Sequence, residues 1–499
     1  MVPFRLTLRE DSREPMHRQL YRELREAVLS GRLPPGARLP STRSIATELG
    51  VSRNTVMGAF DQLLAEGYLE GKVGSGTYVA EKLPEELLHA RSGLRAAAPQ
   101  RPVGAELSRR GSVLASSPIV PPRPHRTPRA FRPGPGAFDH FPSRLWARLL
   151  AKRWRGPLRE MLSYGESEGY RPLREAIAAY VRAARAVRCD PAQVVVVSGS
   201  QQGLDIIARL LLDPGDDVWI EDPGYLGARG ALLGAGARLT PVPVDQEGLV
   251  VAEGIGRQPR ARLVYVSPSH QFPLGVTMSL ARRLALLEWV RQSGAWVIED
   301  DYDSEYRYSG RPIAALQGLD FTGRVIYLGT FSKVLFPALR LGYLILPPEL
   351  VEPFSKARAL VDRHSPLIDQ AVLAEFIAEG HFARHVRRMR ALYAQRHAIF
   401  IDAARKELCG LLDVEAQDAG MHLVGWLAEG INDAAASRSA FEHGVEAPAL
   451  SAYALERQAR GGLLLGFTSV GTREIREGIR RLAQALRSVA ESAAAGNGR

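Results

Sequence analysis

The amino-acid sequence predicts a small α+β unit at the N-terminus, followed by a large α/β unit with a mainly parallel sheet. Residues 1–80 show helical periodicity and then a strand–turn–strand pattern. From about Phe138 onward, short apolar runs alternate with amphipathic helical segments, which is typical of α/β folds. The chain of 499 residues is also too long for one ordinary core. We therefore expect one domain at residues 1–80 and another at residues 134–499.

Residues 81–133, between the two predicted domains, are rich in proline and arginine. This stretch has ten Arg/Lys and four Asp/Glu, so it carries more than half of the net charge of +11. Such a composition buries little apolar surface and predicts a basic, partly extended linker. Excess positive charge attracts polyanions, but a solvated surface explains the charge equally well.

The composition argues against several classes of protein. The apolar runs are too short to span a membrane, and the N-terminal residues lack the apolar segment of a signal peptide. The two cysteines, Cys189 and Cys409, suggest neither a disulfide framework nor a metal site. We expect a cytoplasmic protein that binds no metal.

The first unit begins with two predicted helices. Residues 14–30 have one apolar helical face, as a packed amphipathic helix requires. A short helix, Ile45–Leu49, follows a cap at Ser41 or Thr42 and ends at Gly50. The segment that follows Gly50 is short enough to join this helix to a second one at a tight turn.

The third predicted helix begins after Ser52, which caps it, and runs to about Glu66. Two helices joined by a tight turn have the spacing of a helix-turn-helix motif, and the polar residues Arg53–Thr55 stand at the end that enters a DNA major groove. A β-hairpin with a glycine-rich, cationic tip at Gly71–Gly76 follows, and it suits contact with phosphate or the minor groove.

The segments Leu39–Val56 and Leu64–Glu70 resemble the winged helix of the GntR family of DNA-binding regulators. The alternative to DNA contact is that the side chains of Arg43 and Arg53 are only solvated or form ion pairs with Glu48. Position by position, the resemblance implies DNA contacts from Arg38, Arg43, Ser52, Arg53, Asn54, Thr55, Lys72, Gly74, Ser75 and Gly76.

In the second unit, three apolar strands are each followed by polar residues. The run Val194–Val197 leads into a Ser/Gly turn and a helix, an arrangement that binds anions at the helix start. A second strand ends at Asp300 and Asp301, at the edge where open α/β sheets bind ligands. A third leads to Lys333, the single lysine of six that follows an apolar strand in a Ser/Thr/Gly loop. Burial there would lower its pKa and favour a Schiff base with an aldehyde cofactor.

Together these three elements are similar to the fold-type I aminotransferases, which bind pyridoxal 5'-phosphate (PLP). The segments Tyr164–Ile177, Glu221–Tyr225 and Ser267–Gly275 add to the resemblance. It implies that Lys333 forms the Schiff base, that Asp300 rather than Asp301 faces the pyridinium nitrogen, and that Tyr302 donates to the phenolic oxygen.

The remaining implied cofactor contacts are Tyr225, which would stack on the ring, and a phosphate site. The phosphate would be held by Ser200, Gln201, Ser332 and Arg340. His270 and Gln271 are expected in the pocket without an assigned role. Over its whole length the chain resembles the MocR/GabR group of GntR regulators, which implies a head-to-tail homodimer and a double-stranded DNA operator.

The sequence also departs from the aminotransferase pattern. The arginine that fixes the substrate carboxylate is missing, because Thr468–Val470 stand in its place and Arg473 lies later, on the following helix. The asparagine of the Asn-Pro-x-Gly segment is replaced near Phe272. These departures argue against an efficient amino-acid transaminase.

Three functions therefore remain open. The favoured one is a regulator in which PLP or an amine effector modulates operator binding. It would sense PLP itself, as PdxR-type members of the group do, and control vitamin B6 genes. The second is a genuine aminotransferase that carries a DNA-binding domain. The third is a DNA-binding protein with a vestigial domain that holds no cofactor.

Overall fold

The computed structural model describes residues 14–72, 75–83, 106–116, 129–156, 159–310 and 313–497. The chain forms two compact units, Met1–Glu106 and Leu107–Arg499. Most of the predicted linker at 81–133 lies outside the described residues, as does Gly74 of the predicted DNA-binding set. The described part of the linker contains one short helix, α4 below, which packs against the second unit.

The first unit contains three helices and a two-stranded antiparallel hairpin. Its elements are α1 Met16–Leu29, α2 Thr42–Leu49, α3 Arg53–Ala65, β1 Leu69–Lys72 and β2 Gly76–Val79. The apolar faces predicted for the helices meet in one core, which includes Leu20, Val56 and Phe60. Helix α2 begins three residues earlier than predicted, because the Ser41 hydroxyl accepts a hydrogen bond from the Ser44 amide at 3.1 Å.

The hairpin has a shorter tip than the sequence predicts. Lys72 pairs with Gly76, so the strands continue into the glycine-rich segment that we expected to form the whole turn. Gly76 has φ +116°, a conformation that favours glycine and lets the second strand begin there.

An eight-stranded sheet forms the centre of the second unit, with strand order β3-β10-β9-β8-β7-β4-β5-β6. It is mostly parallel, as predicted, but β10 runs antiparallel to both neighbours and β6 runs antiparallel to β5. The strands are β3 Val194–Val197, β4 Asp217–Asp222, β5 Arg238–Asp245, β6 Gly248–Leu249, β7 Leu263–Val266, β8 Trp296–Asp301, β9 Val325–Thr330 and β10 Gly342–Ile345.

Helices cover both faces of this sheet. The helices of the second unit are α4 Arg109–Ala115, α5 Ser143–Arg155, α6 Arg159–Leu162, α7 Arg171–Arg185, α8 Ser200–Leu211, α9 Leu226–Ala235, α10 Val251–Arg257, α11 Leu280–Ser293, α12 Pro348–Val361, α13 Leu367–Ala378, α14 His381–Glu407, α15 Asp433–Glu442 and α16 Thr472–Asn497. Strand β3 shows why both faces must be covered. Val194 and Val196 enter one apolar cluster while Val195 and Val197 enter another, because successive side chains point to opposite faces.

A second, three-stranded antiparallel sheet completes this unit. It consists of β11 Leu412–Val414, β12 His422–Leu427 and β13 Gly462–Gly466, with β12 in the centre. Helix α16 packs against α14 and α15. Among the described helices, none combines the length and the apolar character that crossing a membrane requires.

Candidate functional site

The polar residues predicted to contact DNA are mostly exposed in the first unit. Arg43 on α2 and Arg53 and Asn54 at the start of α3 all have exposed side chains. Neither arginine forms an ion pair with Glu48 or with another residue that the structure describes. The start of α3 therefore presents free positive charge to the solvent, as a DNA-reading helix requires.

Ser52 and Thr55 have a structural role at the same helix end. The Ser52 hydroxyl accepts a hydrogen bond from the Thr55 amide at 3.1 Å and lies 2.9 Å from the Thr55 hydroxyl. The Ser52 side chain therefore caps α3, and the Thr55 hydroxyl is engaged with it. This leaves Arg53 and Asn54 as the side chains best placed to reach DNA.

The wing holds a further cationic surface. Lys72 lies over the Tyr78 ring, 5.1 Å from its centroid, and the Ser75 hydroxyl lies 2.8 Å from the Tyr78 hydroxyl. The exposed Arg38 packs against Gly76, where an added Cβ would lie 3.2 Å from Arg38 Nε. A glycine at this position thus leaves room for the arginine.

In the second unit, a cavity of about 300 Å³ opens at the carboxyl edge of the large sheet. Strands β3, β4, β7, β8 and β9 run parallel, so the loops that follow them meet at this edge. The eight residues predicted to hold the cofactor all line the cavity, namely Lys333, Asp300, Tyr302, Tyr225, Ser200, Gln201, Ser332 and Arg340.

Lys333 lies in the loop after β9. Burial lowers the pKa of its ammonium group, although Asp303 and Asp300 oppose that shift. Its Nζ atom would lie 2.9 Å from a Cβ added at Gly134, which has φ +102°. A residue with a side chain at 134 would therefore crowd the amine that the sequence identifies as the reactive group.

Asp300 enters the cavity from β8. The Tyr265 hydroxyl donates a hydrogen bond to its Oδ2 at 2.7 Å, while its buried Oδ1 has no hydrogen-bond partner among the described residues. Burial raises the pKa of Asp300 to about 7. The next residue, Asp301, points to the opposite face and accepts a hydrogen bond from Arg185 at 2.7 Å. The alternation of the strand thus separates the two neighbouring carboxylates.

One end of the cavity has free backbone amides and an arginine, groups that suit an anion. Helix α8 begins at Ser200, and its N-cap, Gly199, has no side chain that could cap the free amides of the first turn. Arg340 reaches the same place and donates to the Ser198 carbonyl at 2.9 Å. Gly199 has φ +88°, and a Cβ there would lie 3.1 Å from the Arg340 guanidinium. Gln201 donates its side-chain amide to the Gly227 carbonyl at 2.9 Å.

The other end of the cavity is aromatic. Phe272 lies edge-on to Tyr453 and His422, with ring centroids 5.4 Å away in both cases, and edge-on to Tyr225 at 5.8 Å. Burial lowers the pKa of His422 to about 3, so its imidazole is neutral.

Sequence reasoning missed several lining residues. Tyr265, Met421, His422 and Tyr453 line the cavity but were not singled out. Tyr265 lies in an apolar strand, and the alternation of side chains along β7 together with β8 could have placed it beside Asp300. The other three come from the small sheet and its loops, for which the sequence offered no comparable signal.

His270 and Gln271, which we expected in the pocket, lie behind it rather than on its surface. Gln271 donates a hydrogen bond to the Pro223 carbonyl at 2.9 Å and is buried.

Thr468 and Arg473 belong to the segment where aminotransferases would have their carboxylate-binding arginine. The Thr468 hydroxyl donates to the Pro135 carbonyl at 2.8 Å, and Arg473 is exposed on α16. Neither residue therefore supplies a cation to the cavity.

Comparisons with known proteins agree with this geometry. Residues 16–79 match the family described as bacterial regulatory proteins of the gntR family, and residues 136–480 match aminotransferase class I and II. The chain is 44% identical over 490 residues to a probable rhizopine catabolism regulatory protein MocR from Rhizobium meliloti. The aligned segment covers 98% of this chain and 97% of that protein. The chain belongs to the MocR-type regulators of the GntR family.

This MocR-type chain is also similar to a second regulator and to the solved structure of an aminotransferase. It is 33% identical to a pyridoxine biosynthesis transcriptional regulator PdxR from Corynebacterium glutamicum, over 90% of this chain and 91% of that protein. The solved structure of a multiple substrate aminotransferase from Thermococcus profundus covers 77% of this chain and 98% of its own, at 29% identity and a TM-score of 0.70. The second unit of this MocR-type regulator thus has the fold of a PLP aminotransferase.

Proposed function

We propose that this MocR-type regulator binds PLP in the cavity of its second unit, and that occupancy of the cavity modulates how the first unit binds its operator. The observation that carries the proposal is the pairing of two groups in one cavity. Lys333 offers an amine of lowered pKa, and Asp300 offers a buried Oδ1 that has no partner among the described residues. When bound, PLP would supply an aldehyde that forms a Schiff base with a lysine amine.

The charges of the cavity fit the cofactor. A pyridinium N–H would give Asp300 Oδ1 the hydrogen bond that it lacks, and the positive charge would stabilise the carboxylate form. At the far side, Arg340 lies near the free amides at the start of α8, and Ser200 and Ser332 line the same cavity, a set that suits a phosphate group. Tyr225 lines the same cavity and would stack on the ring.

The same lining supports a sensor rather than a transaminase. Of the described residues that line the cavity, the single arginine is Arg340, and it lies at the phosphate end. The described lining thus offers no second guanidinium that could bind a substrate carboxylate in a bidentate pair. We therefore infer that the effector is PLP itself or an amine without a carboxylate next to its nitrogen. Sensing PLP would suit control of vitamin B6 genes, and one relative is named a pyridoxine biosynthesis transcriptional regulator.

We also propose that the regulator acts as a head-to-tail homodimer. Trp154 and Tyr164 of the second unit are 50% and 78% exposed, and they line an apolar surface groove together with Leu367. Exposed aromatic rings of this size are typical of surfaces that a partner covers. Two DNA-binding heads in one dimer predict operator half-sites separated by whole helical turns, about 34 Å each.

The test measures the affinity of the protein for the DNA upstream of its own gene while PLP is added to cofactor-free protein. We expect PLP to change this affinity by at least about fivefold, the usual range of allosteric coupling. A Lys333→Ala variant should blunt the change, and Lys356→Ala serves as a matched control because Lys356 is exposed and paired with Glu352.

Two results would change the assignment. If PLP binds and colours the protein while DNA affinity stays constant, occupancy by PLP does not set operator binding and the effector must be sought among amines. If the protein converts amino acids to keto acids at enzymatic rates, it is an aminotransferase that carries a DNA-binding domain.

A further inference from the structure

His270 lies directly behind the cavity and contacts Tyr302, which lines it. The His270 Nδ1 atom is 2.9 Å from the Tyr302 hydroxyl and 3.1 Å from Asp303 Oδ2. His270 and Asp303 are 2% and 1% exposed, so the three groups form a buried chain that ends at the cavity. The resemblance to aminotransferases assigned no role to His270 or Asp303.

The surroundings of the imidazole determine which nitrogen carries its proton. Nε2 is buried and forms no aligned hydrogen bond with a described residue, and the group that favours a ring proton besides Asp303 is the neutral amide of Gln417, a weaker partner than a carboxylate. Nε2 faces Gly420, where an added Cβ would lie 2.3 Å from this nitrogen. Nδ1 faces the Asp303 carboxylate, which stabilises a proton on that nitrogen. A neutral imidazole at this position therefore carries its hydrogen on Nδ1.

The position of this proton decides the direction of the Tyr302 hydroxyl. A protonated Nδ1 is a donor, so the Tyr302 oxygen accepts from it and the phenol hydrogen must point elsewhere. The open direction is the cavity, which Tyr302 lines. With the proton on Nε2 instead, Nδ1 would accept the phenol hydrogen, and Tyr302 could not donate to a molecule in the cavity.

The charges around His270 also favour a hydrogen on Nδ1. Burial lowers the pKa of His270, but Asp303 and, to a smaller extent, Gln417 raise it, and the pKa is raised overall. Arg307 and His422 oppose protonation, and Gln417 favours it. Asp303 Oδ2 lies 3.1 Å from Nδ1, and its charge favours the ring proton more than hydrogen bonding between the two groups does. Both the neutral and the charged imidazole then present a hydrogen on Nδ1.

We propose that His270, with its proton held on Nδ1 by Asp303, directs the hydroxyl hydrogen of Tyr302 into the cofactor cavity. His270 and Asp303 are thus positioning residues, and Tyr302 is the group that touches the bound molecule. The proposal rests on the binding of PLP proposed above, because the expected acceptor of this hydrogen is the phenolic oxygen of PLP.

The experiment records the visible absorbance of the PLP-loaded protein as a function of pH. Removing the donor with Tyr302→Phe should move the midpoint of this titration by about one pH unit, a tenfold change in the proton equilibrium. His270→Leu and Asp303→Asn should move it in the same direction by at least half as much. Asp303→Asn is informative because its amide can donate to Nδ1 and so transfer the imidazole proton to Nε2.

His270→Asn provides the rescue, because the amide nitrogen of asparagine stands near the place of Nδ1 and can donate to Tyr302. We expect its midpoint to stay close to that of the wild type. Tyr180→Phe removes a buried hydroxyl that donates to Glu305 at 2.8 Å, and it controls for a general loss of packing. The double variant His270→Leu/Tyr302→Phe should have the same titration midpoint as Tyr302→Phe alone, because both changes remove the same donor.

A titration that moves with Tyr302→Phe but not with His270→Leu overturns the proposal and leaves PLP binding intact. If no variant or wild-type protein acquires visible absorbance, both this proposal and the proposed function fail. An independent measurement needs no cofactor. The nitrogen chemical shifts of the histidine side chains in cofactor-free protein should show His270 protonated on Nδ1, and a proton on Nε2 alone would contradict the proposal.

Discussion

The two units use charge in opposite ways. In the first unit, the predicted DNA contacts Arg43 and Arg53 are exposed to solvent. In the second, Asp300 is buried with a pKa raised to about 7, and burial lowers the pKa of Lys333. Exposed charges act over long distances and are screened by salt, whereas buried groups act through their protonation state. Salt should therefore govern the first unit, and pH and cofactor the second.

The largest expected effect is that of Lys333→Ala on the second unit. The variant lacks the amine that would bond covalently to PLP, so we expect its visible absorbance on PLP addition to match that of free PLP. The wild type should acquire a shifted band. A variant that keeps the shifted band would contradict the assignment of Lys333, and Lys356→Ala should behave as the wild type.

The next effect concerns the pH dependence of stability in cofactor-free protein. Folding raises the pKa of Asp300 from 3.8 to about 7, so the folded protein binds the proton more tightly. This contribution to stability is fully present below pH 3.8 and is lost as pH rises to about 7.

Asp300→Asn removes this contribution. Relative to wild type, its free energy of unfolding should rise between pH 4 and pH 7, by up to about 4 kcal/mol. Denaturant unfolding measured at several pH values gives the difference, and Asp402→Asn, at an exposed position, controls for the lost charge. A constant difference across this range would show that Asp300 is not held protonated by burial.

A smaller effect is expected at the DNA-binding surface. Arg53→Ala and Arg43→Ala should each weaken operator binding by about 1–3 kcal/mol, and a lost phosphate contact should also reduce the salt slope by about one. Binding measured at several salt concentrations separates the two kinds of contact. Arg22→Ala removes the same charge from α1, where Arg22 forms an ion pair with Glu14, and should leave operator affinity close to wild type.

The smallest expected effect concerns Ser52, where two variants separate the capping of α3 from contact with DNA. Ser52→Ala should lower the stability of the first unit by about 1 kcal/mol, because α3 loses its N-cap. Ser52→Asp keeps a cap and should keep that stability, but its negative charge should weaken DNA binding. Thermal unfolding and operator binding of both variants provide the measurement. If Ser52→Ala retains full stability, the hydroxyl is not the cap that the structure shows.

Local patterns were sufficient to predict much of this molecule. The apolar run Val194–Val197 is a buried strand because both of its faces are covered, and Asp300 and Lys333 stand where strands of the same sheet end. The helix order of the first unit also follows from periodicity and caps. Among the secondary-structure elements, the start of α2, the antiparallel β6 and β10, the short helix α4 in the linker and the length of the hairpin strands differ from the expectation.

Contacts between distant segments were not predictable in the same way. Tyr265 meets Asp300 through the register of β7 against β8, and Gly134 meets Lys333 through a segment that precedes the sheet by many residues. His270 stood in a motif that we interpreted as a pocket segment, yet its contact with Asp303 depends on how two loops pack. Such pairs are set by tertiary packing, which single-sequence periodicity does not contain.

The most direct test of coupling between the two units is the affinity for PLP in the presence and absence of operator DNA. Thermodynamic linkage requires that DNA change PLP affinity by the same factor by which PLP changes DNA affinity. We predict equal factors of at least about fivefold in both directions, with the effect lost in Lys333→Ala. A PLP affinity that is identical with and without DNA would contradict the claim that the buried cavity controls the exposed DNA-binding surface.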